Sequence, residues 1–144
     1  MTDDDAAFLA SFEDRTLPFQ QWTHRSHVKV AYLYLTQHPF ADALTRMRAG
    51  VKAYNAANNV PEGPDRGYNE TTTHAFMHLI AAVIGAYGHT FPTTSADHFC
   101  DTHPQLLTRH ILRLFYSPHR RMHPTAKTHF VDPDLAPLPK ILKD

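Results

Sequence analysis

Apolar residues recur along most of this chain at the three-to-four-residue interval of a helix, and no stretch alternates with polar residues like a strand. The first such segment covers residues 4–12 and is closed by Leu17-Pro18. Thr23, a residue type that caps helix starts, opens a second segment running to Gln37, where His38-Pro39 breaks it. A third, over residues 39–58, places Phe40, Leu44, Met47, Val51 and Tyr54 on one stripe. Residues 59–67 are a loop by composition, rich in Asn, Pro and Gly. The segment 69–87 is mostly apolar in its second half and reads as the central helix, stopped by Gly88.

The last third is less regular. Ser95 caps a turn of helix over residues 95–99, and residues 105–115 predict an amphipathic helix with Leu106, Ile111, Leu114 and Phe115 turned to the core. From Ser117 onward, prolines at 118, 124, 133, 137 and 139 exclude long helices. Leu135, Leu138 and Ile141 predict a tail that wraps the bundle. The expected fold is all-α: one domain over residues 1–144, an irregular bundle of about five helices with a proline-rich C-terminal tail wrapped around it.

Composition removes several classes of function. The 14 basic and 14 acidic residues balance, so nothing points to nucleic acid or an anionic membrane surface. No apolar run approaches the roughly 20 residues that cross a bilayer. The single cysteine, Cys100, excludes an internal disulfide and fits a reducing compartment. The segment Met1-Thr2-Asp3-Asp4-Asp5 is acidic where a secretory signal is basic, so a cytoplasmic location is expected. No serine sits in a G-x-S-x-G turn, and the five glycines form no phosphate-cradling loop.

Twelve histidines are many for 144 residues, and what matters is which of them face inward. Turning roughly 100° per residue from His24 gives an apolar arc holding Val28, Ala31, Tyr34 and Leu35, with His24 and His27 inside it. A buried imidazole without a partner costs about 1–3 kcal/mol, so both rings need hydrogen bonds or a metal. Arg48 and Asn55 flank the stripe of the third helix, and Asn69 and Thr73 lie at the inward first turn of the fourth. Glu70, His74 and His78 form a row on the opposite, solvent-facing side, where water competes with metal binding and Glu70 complements the helix dipole or bends back over the site.

Four segments taken together resemble a family of small bacterial proteins without an established activity. Its pattern is W-T-H-x-x-H, R-x-G-I-x-x-Y-N, G-Y-H-E-T and P-D-L-x-P-L-P. This chain carries Trp22-Thr23-His24 with His27, Arg48 and Gly50-Val51 with Tyr54-Asn55, Gly67-Tyr68-Asn69-Glu70-Thr71, and Pro133-Asp134-Leu135-Ala136-Pro137-Leu138-Pro139. The resemblance implies a third imidazole at the position of Asn69, completing a metal-binding trio in the family; asparagine there weakens such a site or turns it to hydrogen bonding.

Three functions remain open. One is an enzyme whose catalytic residues are His24, His27 and Glu70, with Arg48, Asn55, Tyr68, Asn69 and Thr73 binding a small, anionic substrate. In its metal form His24 and His27 hold one divalent transition metal (Zn, Fe or Cu), with Glu70 or water completing the shell. In its metal-free form one histidine is a general acid–base and Arg48 holds the anion. The second is a non-catalytic module binding a small molecule or a partner's helix, with the tail as a lid and Arg120 and Arg121 contributing charge. The third is a structural or oligomerisation domain with Tyr32 and Phe99 as contact residues; the sequence leaves the oligomeric state open.

Overall fold

The computed structural model describes residues 1–142. Five α-helices of seven or more residues build the domain: α1 (Asp3–Glu13), α2 (His24–Gln37), α3 (Phe40–Ala57), α4 (Glu70–Tyr87) and α5 (Ala96–Thr102). Two single-turn helices follow later, α6 (Pro118–Arg121) and α7 (Pro124–Thr128). Among the described residues there is no strand, only an isolated bridge between Gly63 and Arg66. No helix of the described residues is long and apolar enough to cross a membrane.

Local chemistry sets the helix starts. The Thr23 hydroxyl accepts from the Ser26 amide and the Ser26 hydroxyl accepts from the Thr23 amide, both at 3.3 Å, a reciprocal cap that begins α2 at His24. Thr2, Asn69 and Ser95 cap α1, α4 and α5 in the same sense, each accepting from a backbone amide in the first turn. Helix α2 is the hub, packing against α3, α4 and α5, and Val28, Val30 and Leu33 on it are shut away from water. Tyr54 of α3 is fully buried and donates from its hydroxyl to the Leu17 carbonyl at 2.6 Å, which pins the segment before α2 to the bundle.

Gly50 is required by packing. A Cβ there would lie 2.6 Å from the ring of Phe12, so α1 and α3 approach only because α3 has no side chain at that point. Gly67 serves the loop instead: its φ of +81° is a left-handed conformation that turns the chain into the Tyr68–Asn69 entry of α4.

Residues 105–115 depart from the expected helix. They form two 3-10 turns, Pro104–Leu107 and Arg109–Leu114, separated by Thr108 in an extended conformation. Proline at the start and the Thr108 hydroxyl, which accepts from the His110 amide at 3.2 Å, favour short tight turns over one continuous helix. Leu106 and Leu112 are buried, Ile111 and Phe115 pack partly buried against the core as expected, and Leu114 is instead 68% exposed. The tail does wrap the bundle. The Tyr116 hydroxyl donates to the Val131 carbonyl and the Leu135 amide to the Phe115 carbonyl, and Leu138 packs on the core, although Leu135 itself faces water.

Candidate functional site

His24 and His27 both line an open cavity of about 490 Å³ bordered by α2, α3, α4 and the turns that follow α5. Each ring is held by a backbone carbonyl. His24 donates from Nε2 to the Leu106 carbonyl at 2.9 Å, so its Nδ1 carries the lone pair. His27 donates from Nδ1 to the Thr23 carbonyl at 2.8 Å, so its Nε2 carries the lone pair. Trp22 covers His27 with ring centroids 3.9 Å apart and is itself stacked on Phe12. The edge of Phe76 supports His24 at 4.9 Å. The W-T-H-x-x-H segment is thus one unit: indole cover, helix cap and two oriented imidazoles.

Burial disfavours the charged form of both rings. Burial pushes the His27 pKa down to about 4, against the opposing hydrogen bond to Thr23 and with a further lowering from His24. His24 is lowered as well, first by burial and then, after the opposing Leu106 bond, by the charge of Arg109.

A second, smaller cavity of about 300 Å³ shares Trp22, His27 and Thr73 with the first and is completed by Asn55, Tyr68 and Asn69. The expected inward set therefore converges, with two corrections. Asn69 is committed as the cap of α4: its Oδ1 accepts from the Thr72 amide at 2.9 Å. Arg48 does not reach the pocket at all; its Nε and Nη2 each donate to one oxygen of Glu70 at 2.7 Å.

Glu70 is the larger correction. On an isolated helix it lies opposite the apolar stripe, yet in the fold it is buried, because Arg48 of α3 and the Tyr68 hydroxyl, at 2.8 Å, close over it. Burial by itself would raise its pKa, but the bonds from Arg48 and Tyr68 outweigh that and hold it below the usual carboxylate range. It lines neither cavity and acts on the site only by fixing Tyr68, a wall of the smaller one. The tail also packs against His74 and His78, which stay partly exposed. Phe130 stands edge-on to His74 at 3.9 Å, and His78 Nε2 donates to the Pro139 carbonyl at 2.6 Å.

The cations of the pocket are residues that sequence periodicity did not single out together. Arg109, exposed on the second 3-10 turn, and Arg121, half-buried at the end of α6, both line the larger cavity. Neither pairs with a carboxylate among the described residues. Burial lowers the pKa of Arg121, and the neighbouring charges of Arg113 and Arg109 lower it further. Arg120, the other tail arginine considered, is turned away and donates to the Asp132 carbonyl at 2.9 Å. Tyr32 and Phe99 are not surface contacts either: they are buried and stacked on each other at 4.4 Å.

For a metal, the chain offers two donors here, His24 Nδ1 and His27 Nε2. Asn69 and Glu70 are engaged elsewhere, and no group of three His, Cys, Asp or Glu residues converges on a metal position among the described residues. The fold and site together define an all-α domain with a histidine- and arginine-lined pocket. Comparison with protein-family models, curated proteins and solved structures finds no match for this chain.

Proposed function

We propose that the larger cavity captures a small anionic molecule, with Arg109 and Arg121 as its charge partners and the bare nitrogens of His24 and His27 as acceptors for its hydroxyl or acidic proton. One observation carries this reading: two arginines without carboxylate partners among the described residues line a cavity whose wall holds two imidazoles, each bonded to a backbone carbonyl. Like charges that repel one another are stabilised by a bound anion, and guanidinium groups match carboxylate and phosphate geometry. The same imidazole nitrogens equip the site for proton transfer to and from the ligand, the step that would make it an enzyme. The buried free thiol of Cys100 supports a reducing, cytoplasmic setting.

Calorimetric titration with inorganic phosphate tests the anion site. Saturable binding is expected, weakened about tenfold or more in an Arg109→Met, Arg121→Met double variant, the scale of losing charge-assisted hydrogen bonds. Absence of phosphate binding in the wild-type protein, or its survival in the double variant, would sink the reading.

A specific feature favours a second reading, a divalent metal (Zn, Fe or Cu) on His24 and His27. Imidazole ligands of metals characteristically donate their other N–H to a carbonyl or carboxylate, as both rings do here. With two protein donors, the ligand and water would complete the coordination, and asparagine at position 69, where the family resemblance implies histidine, would leave the site weak. Metal content of the purified protein, followed by zinc titration of wild type and His27→Gln, decides it. No metal uptake, or uptake unchanged by the substitution, would remove this reading.

A further inference from the structure

Polarity in the larger cavity changes with depth. Arg109 at the rim is exposed, and Arg121 and the two histidines are half-buried. Besides Thr23, Thr72 and Thr73, the lining includes Ala31, Met47, Met77 and Ile80, none more than 4% exposed. These four come from α2, α3 and α4 and form the most buried part of the lining. Two of the four are methionine, whose unbranched, polarizable side chain adjusts to a ligand's shape. At the level of the histidines, Trp22 and Phe76 add flat apolar walls. A hydrated ion such as phosphate would use only the rim. The apolar part of the lining has no charge to offer it.

We infer that the natural ligand is an amphiphilic organic anion, with one acidic head between Arg109 and Arg121 and an apolar body in the slot between α2, α3 and α4. This rests on the anion-site reading and adds the part of the ligand that the arginines do not see. The cavity volume of about 490 Å³ falls within the range of small-molecule pockets, which pair an apolar lining with a few polar groups that fix orientation. The imidazoles sit where head and body join, so a hydroxyl or amide near the acid would meet a lone pair of His24 or His27.

Methionine provides a readout inside the slot together with its own control. Met47 and Met77 line it, whereas Met1 and Met122 are 67% and 60% exposed. In protein labelled with 13C at the methionine methyls, octanoate is expected to shift the Met47 and Met77 signals saturably and leave Met1 and Met122 in place. Acetate and inorganic phosphate should leave all four unmoved. Octanoate should also bind at least about tenfold more tightly than acetate, because each methylene buried adds to affinity. An Ala31→Phe variant, shown to be folded by its circular dichroism, should lose octanoate and keep phosphate.

If phosphate binds and depends on the arginines while octanoate binds no better than acetate and moves neither buried methionine, the slot is closed. The amphiphile is then overturned and the anion site stands. If 1-octanol shifts Met47 and Met77 as well as octanoate does, the acidic head is not recognised and the inference fails. If neither phosphate nor octanoate binds, both readings fall together.

Discussion

Arg48 and Glu70 meet through two parallel hydrogen bonds of 2.7 Å, and this pairing withdraws both residues from the pocket they flank. The pair is lopsided: the Glu70 side chain is 10% exposed and that of Arg48 is 35% exposed. Losing Arg48 would leave a buried carboxylate held only by Tyr68, whereas losing the charge of Glu70 leaves a guanidinium that water can reach. Arg48→Met is therefore expected to destabilise the fold by about 3 kcal/mol and Glu70→Gln by about 1 kcal/mol, measured by urea unfolding. Phosphate binding should survive Glu70→Gln, since neither partner lines the larger cavity.

Stability should fall on acidification because of His27. Its folded pKa, about 4, lies below the value near 6.5 of an unfolded chain, so below pH 6.5 the unfolded state binds more protons. Stability from this group is fully present above about pH 6.5 and is lost as the pH drops toward 4, by on the order of 2–3 kcal/mol for a ring that keeps partial exposure. The lowered His24 adds a slope of the same sign. Urea midpoints across this range should show a shallower decline in His27→Gln; an unchanged slope would mean that His27 is charged in the folded state.

The Tyr54 hydroxyl bonds to a carbonyl in the segment that leads to Trp22 and the histidines. Tyr54→Phe keeps the ring and leaves the buried Leu17 carbonyl unpaired. A loss of about 1–3 kcal/mol is expected, with the urea midpoint lowered and the unfolding slope unchanged.

Gly50→Ala tests the approach of α1 to α3. Alanine raises helix propensity by about 1 kcal/mol, yet its methyl would collide with Phe12. Phe12 is 1% exposed and stacked on Trp22, so it has little room to give. The net effect is expected to be destabilising, by about 1–3 kcal/mol in thermal or urea unfolding. Because Phe12 supports Trp22, the variant should also disturb tryptophan fluorescence.

Much of the local architecture was legible in the residues themselves. The apolar stripes located α2, α3 and α4 to within a residue or two, and Thr23 and Ser95 marked helix starts by a capping chemistry that acts within one turn. The inward orientation of His24 and His27 followed from their angular position among Val28 and Ala31, and the cavity lies where that position indicated. Residues 105–115 misled for a definable reason: their spacing is also compatible with two tight turns, and Pro104 with an extended Thr108 chose those. Solvent exposure of the Glu70 face was misread because periodicity describes a helix in isolation, whereas Arg48, Phe130 and Pro139 are brought over that face from elsewhere in the chain.

Sequence by itself determined where α2, α3, α4 and α5 start and that His24 and His27 turn inward, since these depend on chemistry within a few residues. Tertiary structure decided the partners. The carbonyl that orients His24 belongs to Leu106, 82 positions away, and the arginines that charge the pocket come from two separate short turns with no shared period. Charges act through space and carry no register along the chain, so which of the arginines would neutralise Glu70, and which would line the cavity, was decided only when the helices packed.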